Sequence, residues 1–131
     1  MKIFKAGSRP QKKASRDYFH GNVFQDPIIE APDPARVRAI KVSFEPKART
    51  AWHTHPLGQT LFVVSGVGLV GLRNEAPKII YVGDTIWIPS GEEHWHGATK
   101  TSAMAHIAIQ EVLDGKVADW LEQVLDNDYY L

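Results

Sequence analysis

Short runs rich in β-branched and aromatic residues alternate with tight turn signals from Val37 to Glu111, and this alternation constrains the fold more than any other feature. Runs of about four to eight such residues favour strands, whereas Gly, Pro, Asn and Asp between them favour turns. The predicted strands are Val37–Phe44, Ala51–His55, Thr60–Val64, Val67–Leu72, Lys78–Val82, Thr85–Ile88, His94–His96 and Ala103–Glu111. Many short strands at close spacing are typical of an all-β sandwich, jelly roll or barrel.

The segments on either side of this region have a different character. Prolines punctuate residues 1–35, which are predicted to be irregular apart from a short edge strand within Gly21–Ile29. Pro27 restricts that strand to an edge, because proline cannot donate to a central ladder. Near the C-terminus the apolar residues recur at intervals of three and four, which predicts an amphipathic helix at about 116–126. The recurring residues are Val117, Trp120, Leu121, Val124 and Leu125.

Length and charge narrow the class of protein. The 131 residues fit a single domain, 1–131, with a barrel core at about 37–111. The 15 basic and 15 acidic residues leave no net charge, which argues against nucleic acid or an anionic membrane as the partner. The chain has no run of about 18 apolar residues, and its first residues lack the apolar core of a signal peptide. We therefore expect a cytoplasmic protein that acts on a small molecule.

Histidines supply the candidate metal ligands, because the chain contains no cysteine. His53 and His55 are two residues apart in a predicted strand and so share one face. Gln59 follows the next turn, and His94 follows a later one. Three imidazoles and one amide oxygen are donors that suit a first-row divalent ion such as Mn, Fe, Ni or Zn. The alternative is that these histidines only pack or face solvent.

The spacing of these residues resembles the first motif of the cupin superfamily. That motif runs Gly, five residues, His-x-His, three or four residues, Glu, six residues, Gly. This chain has His53 and His55, then Gln59 after three residues, then Gly66 after six. Lys47 stands at the position of the leading glycine, a departure that affects a turn rather than a ligand.

The second cupin motif is matched at the expected spacing as well. It runs Gly, five residues, Pro-x-Gly, two residues, His, three residues, Asn. Gly83, Pro89, Gly91 and His94 fall at these positions, whereas Ala98 replaces the final Asn, which is not a ligand. The resemblance implies a single-domain cupin barrel, a jelly roll or double-stranded β-helix, with a short C-terminal helix.

Gln59 replaces the usual cupin glutamate, and the residues around it are similar to one subgroup. That subgroup is the manganese-dependent cupin hydroxynitrile lyases, or (R)-mandelonitrile lyase-like proteins. The similar runs are Arg49–Thr60, Ala31–Ala35, Gly91–Ala98, His106–Glu111 and Leu113–Lys116. The resemblance implies reversible cleavage of a cyanohydrin to an aldehyde and cyanide, with Mn²⁺ as the usual ion.

Strand parity predicts which side chains surround the substrate. On the last long strand, His106, Ala108 and Gln110 share the inward face, and His106 is the candidate general base. His106 can equally be a buried histidine satisfied by a backbone carbonyl. His96 has the parity of His94 and is assigned to the pocket. Two alternatives remain for it: it could be the base instead of His106, or it could support the metal ligands from behind. The remaining expected pocket residues are Ile40, Val42 and Phe44.

Two other functions use the same residues. One is a metal-dependent cupin dioxygenase, and the other is a metal-bearing binding or sensor module without turnover. The outward parity of Trp52, Trp95, Ile107 and Ile109 predicts an exposed apolar patch, and such patches mark association. We therefore expect a homodimer or homotetramer.

Overall fold

The computed structural model describes residues 1–130. Twelve strands and one short helix follow one another along these 130 residues. They are β1 (Lys12–Lys13), β2 (Phe19–His20), β3 (Val23–Glu30), β4 (Val37–Phe44), β5 (Arg49–Thr50), β6 (His53–Thr54), β7 (Gln59–Leu72), β8 (Lys78–Tyr81), β9 (Thr85–Ile88), β10 (His94–Ala98), β11 (Met104–Glu111), β12 (Asp119–Trp120) and α1 (Asp126–Tyr129). The predicted all-β class is confirmed. Within residues 1–130, no helix has the length and hydrophobicity that a membrane span requires.

The strands form one curled sheet in the order β1-β3-β4-β11-β7-β10-β5-β2. The long strand β7 joins the two halves of the curl, because its first part pairs with β9 and β11 and its second part with β8 and β10. Thr60–Val64 and Val67–Leu72 were predicted as two strands, and they are one. The glycine between them allows this, since Gly66 has a φ of 72° and a Cβ there would clash with the Ala103 carbonyl oxygen.

Alternation along the strands separates the interior of the barrel from its outer face. On β11, Met104, His106 and Ala108 are buried, whereas Ile109 is exposed. The paired strands behave in the same way, since their inward side chains form the core while the intervening ones face outward. The buried inward residues of the neighbouring strands are Val42, Phe44, Leu61 and Val63.

The N-terminal region is more regular than the sequence pattern predicts. β3 runs over eight residues and pairs with β4 on one side and with β1 on the other. Pro27 lies past the two residues that β1 pairs, at an irregularity in the register with β4. β1 does not pair with β3 at Pro27, so the N–H group that proline lacks is not needed for a ladder hydrogen bond there.

The predicted short C-terminal helix is present, but its predicted position at about 116–126 is wrong. Asp119–Trp120 form a strand on β6, and the only helix among residues 1–130 is Asp126–Tyr129. Main-chain hydrogen bonds from Trp52 N to Glu122 O and from Leu121 N to Trp52 O hold the segment extended. Trp120 and Val124 pack against the barrel from this non-helical segment. These tertiary contacts override the helical spacing of the apolar residues.

The C-terminal segment also buries two tryptophans that were expected to be exposed. Trp52 and Trp95 pack with Val124 and Tyr129 in a second, smaller core. The exposed patch predicted from outward parity therefore does not include them. Ile109 does remain exposed, and so do the outward-facing Phe62 of β7 and Trp87 of β9.

Candidate metal centre and cavity

Strand pairing brings three histidines to one place inside the barrel. His53 of β6 is the register partner of His94 of β10, and their ring centroids are 4.2 Å apart. The ring of His55 lies 5.0 Å from that of His53 and 5.3 Å from that of His94. All three side chains are buried, so any charge or lone pair that they carry is shielded from water.

Backbone carbonyls fix the proton positions on these rings. The Nδ1 atoms of His53, His55 and His94 lie 2.9, 2.7 and 2.9 Å from the carbonyl oxygens of Ala51, Val117 and Glu92. A carbonyl oxygen only accepts, so each Nδ1 carries the proton and donates. Each Nε2 is then left with a free lone pair, which is the state that a metal-binding imidazole needs.

Gln59 adds an oxygen to this set. Its Nε2 donates to Gln110 Oε1 at 3.0 Å, which orients the amide. Its Oε1 lies 3.4 Å from the Nε2 of His94. With the proton of His94 on Nδ1, these two atoms are both acceptors and do not form a hydrogen bond with each other. The His55 Nε2 is also buried and has no hydrogen-bond partner. Acceptors that converge without a donor fit a cation, and nitrogen with neutral oxygen suits a first-row divalent metal ion.

A second arrangement of ligands is also possible on distance. His53, His94 and His96 offer nitrogen atoms that all lie within 4.8 Å of one another. His96 differs from the other histidines because its Nδ1 faces another imidazole, the Nε2 of His106, at 2.9 Å. The His96 Nε2 and the His106 Nδ1 are buried without partners.

Burial keeps all of these histidines neutral. Desolvation lowers the pKa of His94 and of His106 to about 4. It also lowers the pKa of His55, and it lowers the pKa values of His53 and His96 well below their usual range, where neighbouring histidines add to the effect. Neutral imidazoles are available as ligands or proton acceptors at pH 7, whereas charged ones are not.

A cavity of about 470 Å³ opens beside the donor set. His53, His55 and Gln59 line it at the donor end. Its remaining walls are mainly apolar, with a few polar side chains, and consist of Phe4, Arg9, Phe19, Gln25, Pro27, Ile29, Glu30, Arg38, Ala39, Ile40, Val42, Ala108, Gln110, Val117, Ala118 and Trp120. An apolar cavity with a few polar groups is typical of a small-molecule site.

The structure separates the expected pocket residues into two groups. Ile40, Val42, Ala108 and Gln110 line the cavity. The other group lies deeper in the core, where the ring of Phe44 is 6.0 Å from that of His96 and 5.4 Å from that of His106. These three rings are not among the residues that line the cavity, and neither is His94.

Sequence reasoning missed the walls that come from the two ends of the chain. Phe4 and Arg9 precede the first strand, and Trp120 lies in the segment that was predicted to be helical. Trp120 stacks on the ring of His53 with centroids 4.6 Å apart. Phe4 and Arg9 belong to no periodic pattern, and the helical spacing of Trp120 predicts the wrong element, because all three reach the cavity through tertiary contacts and not through strand alternation.

Comparisons with known proteins agree with this geometry. The family model described as "Cupin domain" matches residues 40–109. A protein of Granulicella tundricola named (R)-mandelonitrile lyase is 53% identical over 129 residues, which cover 98% of this chain and 98% of that protein.

Solved structures show the same fold. A cupin-like protein from Thermotoga maritima is 36% identical with a TM-score of 0.85, and the match covers 98% of this chain and 95% of that one. The polyketide cyclase RemF from Streptomyces resistomycificus, at 16% identity, has a TM-score of 0.76 over 98% of this chain and 90% of its own. At that identity the likeness concerns the fold alone.

Proposed function

This chain belongs to the cupin family, and we propose that within it the protein is a metal-dependent hydroxynitrile lyase. The reaction is the reversible cleavage of a mandelonitrile-like cyanohydrin to an aldehyde and hydrogen cyanide. The observation that carries the proposal is the convergence of buried acceptor atoms beside an apolar cavity. The 53% identity to a protein named (R)-mandelonitrile lyase supports the choice of this reaction among those that cupins perform.

The proposed ligands of the ion are His53, His55, Gln59 and His94. The carbonyl partners of the three imidazoles and the Gln110 partner of the amide hold these groups in place before a metal binds. All four are neutral, so a divalent ion would keep its charge and supply Lewis acidity that lowers the pKa of a nearby hydroxyl group. Mn²⁺ is the first candidate because the sequence resembles the manganese-dependent subgroup, and Fe, Ni and Zn accept the same donors.

The apolar walls of the cavity bind the rest of the substrate. Ile40 and Ala108 are register partners on β4 and β11, Val42 lies two residues along β4, and Phe19 and Trp120 add aromatic surface. An aryl or alkyl group that fills this space excludes water from the reacting end. Exclusion of water also strengthens the interaction of the developing anion with positive charge.

The proton of the cyanohydrin hydroxyl goes to the His96–His106 pair, with His106 as the proposed base. Val42, its register partner on β4, and Ala108, two residues along β11, both line the cavity, whereas His106 does not, so the proposed proton transfer needs a path past these two side chains. Loss of the proton allows the carbon–carbon bond to break, the oxygen to become the aldehyde carbonyl and the electron pair to leave on cyanide. Cyanide then takes the proton back from His106, so atoms and charge balance.

Metal analysis and a cleavage assay on one sample test the proposal. Protein from metal-replete cells is expected to hold about one divalent ion per chain and to release benzaldehyde from racemic mandelonitrile. Dialysis against a chelator should abolish cleavage, and Mn²⁺ should restore it. His20→Ala is the matched control, because His20 is exposed and lies outside the site. Metal-loaded protein that cleaves no cyanohydrin would contradict the proposal, and oxygen uptake by that sample would favour a dioxygenase.

A further inference from the structure

Two arginines line the cavity in addition to the donor set, and the reaction proposed above gives them no role. Arg38 lies on β4 and Arg9 precedes β1, and both are half-buried. Neither takes part in any ion pair found among the described residues. A half-buried guanidinium without an anionic partner gains most from a ligand that brings one.

Strand register gives the position of Arg38 relative to the donor set. Gln59 on β7 pairs with Gln110 on β11, and Gln110 pairs with Arg38 on β4. These three residues form one row across the wall, and hydrogen bonds follow the row from Gln59 Nε2 to Gln110 Oε1 and from Gln110 Nε2 to the Arg38 carbonyl. Two strand spacings separate Gln59 from Arg38, which places their Cα atoms about 10 Å apart.

Arg9 is held near the same end by the N-terminal segment. Its Nη1 donates to the Ile28 carbonyl at 3.1 Å, and its guanidinium lies 4.2 Å from the centroid of the Phe4 ring. Glu30, the register partner of Arg38 on β3, also lines the cavity but forms no ion pair with it. The two arginines therefore outweigh Glu30, so the charged side chains that line this cavity have a positive excess even before a metal ion is counted.

We propose that the cavity accepts substrates that carry a carboxylate, and that Arg38 binds this carboxylate while Arg9 adds a second positive charge beside it. The inference rests on the proposed function for the reacting end and extends it to the class of substrate, an aromatic or short aliphatic aldehyde and cyanohydrin with an anionic group opposite the hydroxyl. Ile40, next inward from Arg38 on the same face of β4, contacts the body of such a molecule. The planar guanidinium favours a carboxylate because the two groups can form parallel hydrogen bonds.

Direct binding of two aldehydes that differ in one group tests the inference without any turnover. We would titrate 4-carboxybenzaldehyde and benzaldehyde into the metal-loaded protein by calorimetry. The wild-type protein should bind the carboxylate about tenfold to a hundredfold more tightly, as expected for a charge-assisted contact. In Arg38→Gln this ratio should fall to near one, and in Arg9→Gln it should fall by a smaller factor.

Lys41→Gln is the matched control. Lys41 lies on the same strand, has the opposite parity and is exposed, so its loss removes one positive charge without touching the cavity. Its ratio should stay within about twofold of the wild-type value, because an exposed charge outside the cavity is screened by solvent. The preference of the wild-type protein should also weaken as salt is added, which keeps the inference testable if Arg38→Gln does not fold.

Several results would overturn the inference. They are equal affinity for the two aldehydes, binding of neither, or a preference for the carboxylate that survives in Arg38→Gln. The last result would mean that the carboxylate binds the metal ion instead of the arginine. Selective binding that depends on Arg38 in a protein that cleaves no cyanohydrin would uphold the carboxylate site and contradict the lyase proposal, so the two failures are distinguishable.

Discussion

His106 Nε2 and His96 Nδ1 lie 2.9 Å apart in the buried core, so one of these neutral rings donates a hydrogen and the other accepts it. If His106 donates, its Nδ1 keeps a lone pair and His96 carries its proton on Nε2. If His96 donates, its Nε2 is free to bind a metal ion and the His106 Nδ1 is protonated. The two roles exclude each other, because His106 is a base through Nδ1 only in the state in which His96 cannot be a ligand.

The metal content of two variants shows whether His96 is a ligand or whether His106 is free to act as the base. His55→Ala should lose most of its bound metal, because it removes one of four ligands whose lone pairs converge. His96→Asn should keep about one ion per chain, since a short amide can replace the contact to His106 while it removes the Nε2 atom. The measurement is elemental analysis after dialysis. Loss of metal from His96→Asn together with its retention in His55→Ala would instead assign the ion to His53, His94 and His96.

Replacement of the proposed base should affect the rate and leave the metal in place. His106→Ala is expected to bind one ion and to cleave mandelonitrile about 10²–10⁴-fold more slowly, the usual loss for a positioned acid–base group. The measurement is kcat on samples of equal metal content, with His20→Ala as the control. A rate near that of the wild-type protein would remove His106 from the mechanism.

The donor set and the inward faces of the strands could be predicted from the sequence, and the terminal segments could not. Alternation places His106 and Ala108 inside because the period of a strand is two residues whatever its partner. Trp120 reaches the cavity because its strand pairs with β6. Arg9 reaches it because its side chain donates to a carbonyl of β3. Both contacts join residues that are far apart in the sequence. Local pattern carries no information on such pairing, which is why the predicted bounds of the C-terminal helix, about 116–126, were wrong.

The C-terminal segment is held by Arg49, and its removal should destabilise the protein. The guanidinium is 3% exposed, donates twice to the Val124 carbonyl and lies 4.4 Å from the centroid of the Tyr129 ring. Arg49→Met should lower the free energy of unfolding by about 1–3 kcal/mol, because a buried carbonyl loses its donors. Urea unfolding measures this loss.

Asp126→Asn is the comparison and should cost less than about 1 kcal/mol, since Asp126 is 74% exposed. Equal losses in the two variants would contradict the proposed role of Arg49.

Acid should destabilise the metal-free protein. Burial lowers the pKa values of His94 and His106 to about 4, whereas unfolded histidine titrates near 6.5. As the pH falls from 6.5 to 4 the unfolded chain binds protons that the folded chain does not, so stability decreases by up to about 1.4 kcal/mol per pH unit for each such histidine. The urea midpoint should be nearly constant above pH 7 and should fall steadily between pH 6.5 and 4. His106→Gln should flatten this fall, and a midpoint that does not change from pH 7 to 5 would refute the prediction.

An uncharged apolar face on the outside of the barrel is expected to pair with a second copy of the chain. Phe62, Trp87 and Ile109 are exposed on three adjacent strands, with Trp87 at 61%. Thr60 lies between Ile109 and Trp87 in the register, so no charge separates these two side chains, and an uncharged centre can meet its own copy without like-charge repulsion. Light scattering should give a dimer or tetramer. Trp87→Lys should shift it toward monomer, whereas Tyr81→Lys, an equally exposed aromatic outside this set, should not. A wild-type protein that stays monomeric at high concentration would show that the face does not mediate self-association.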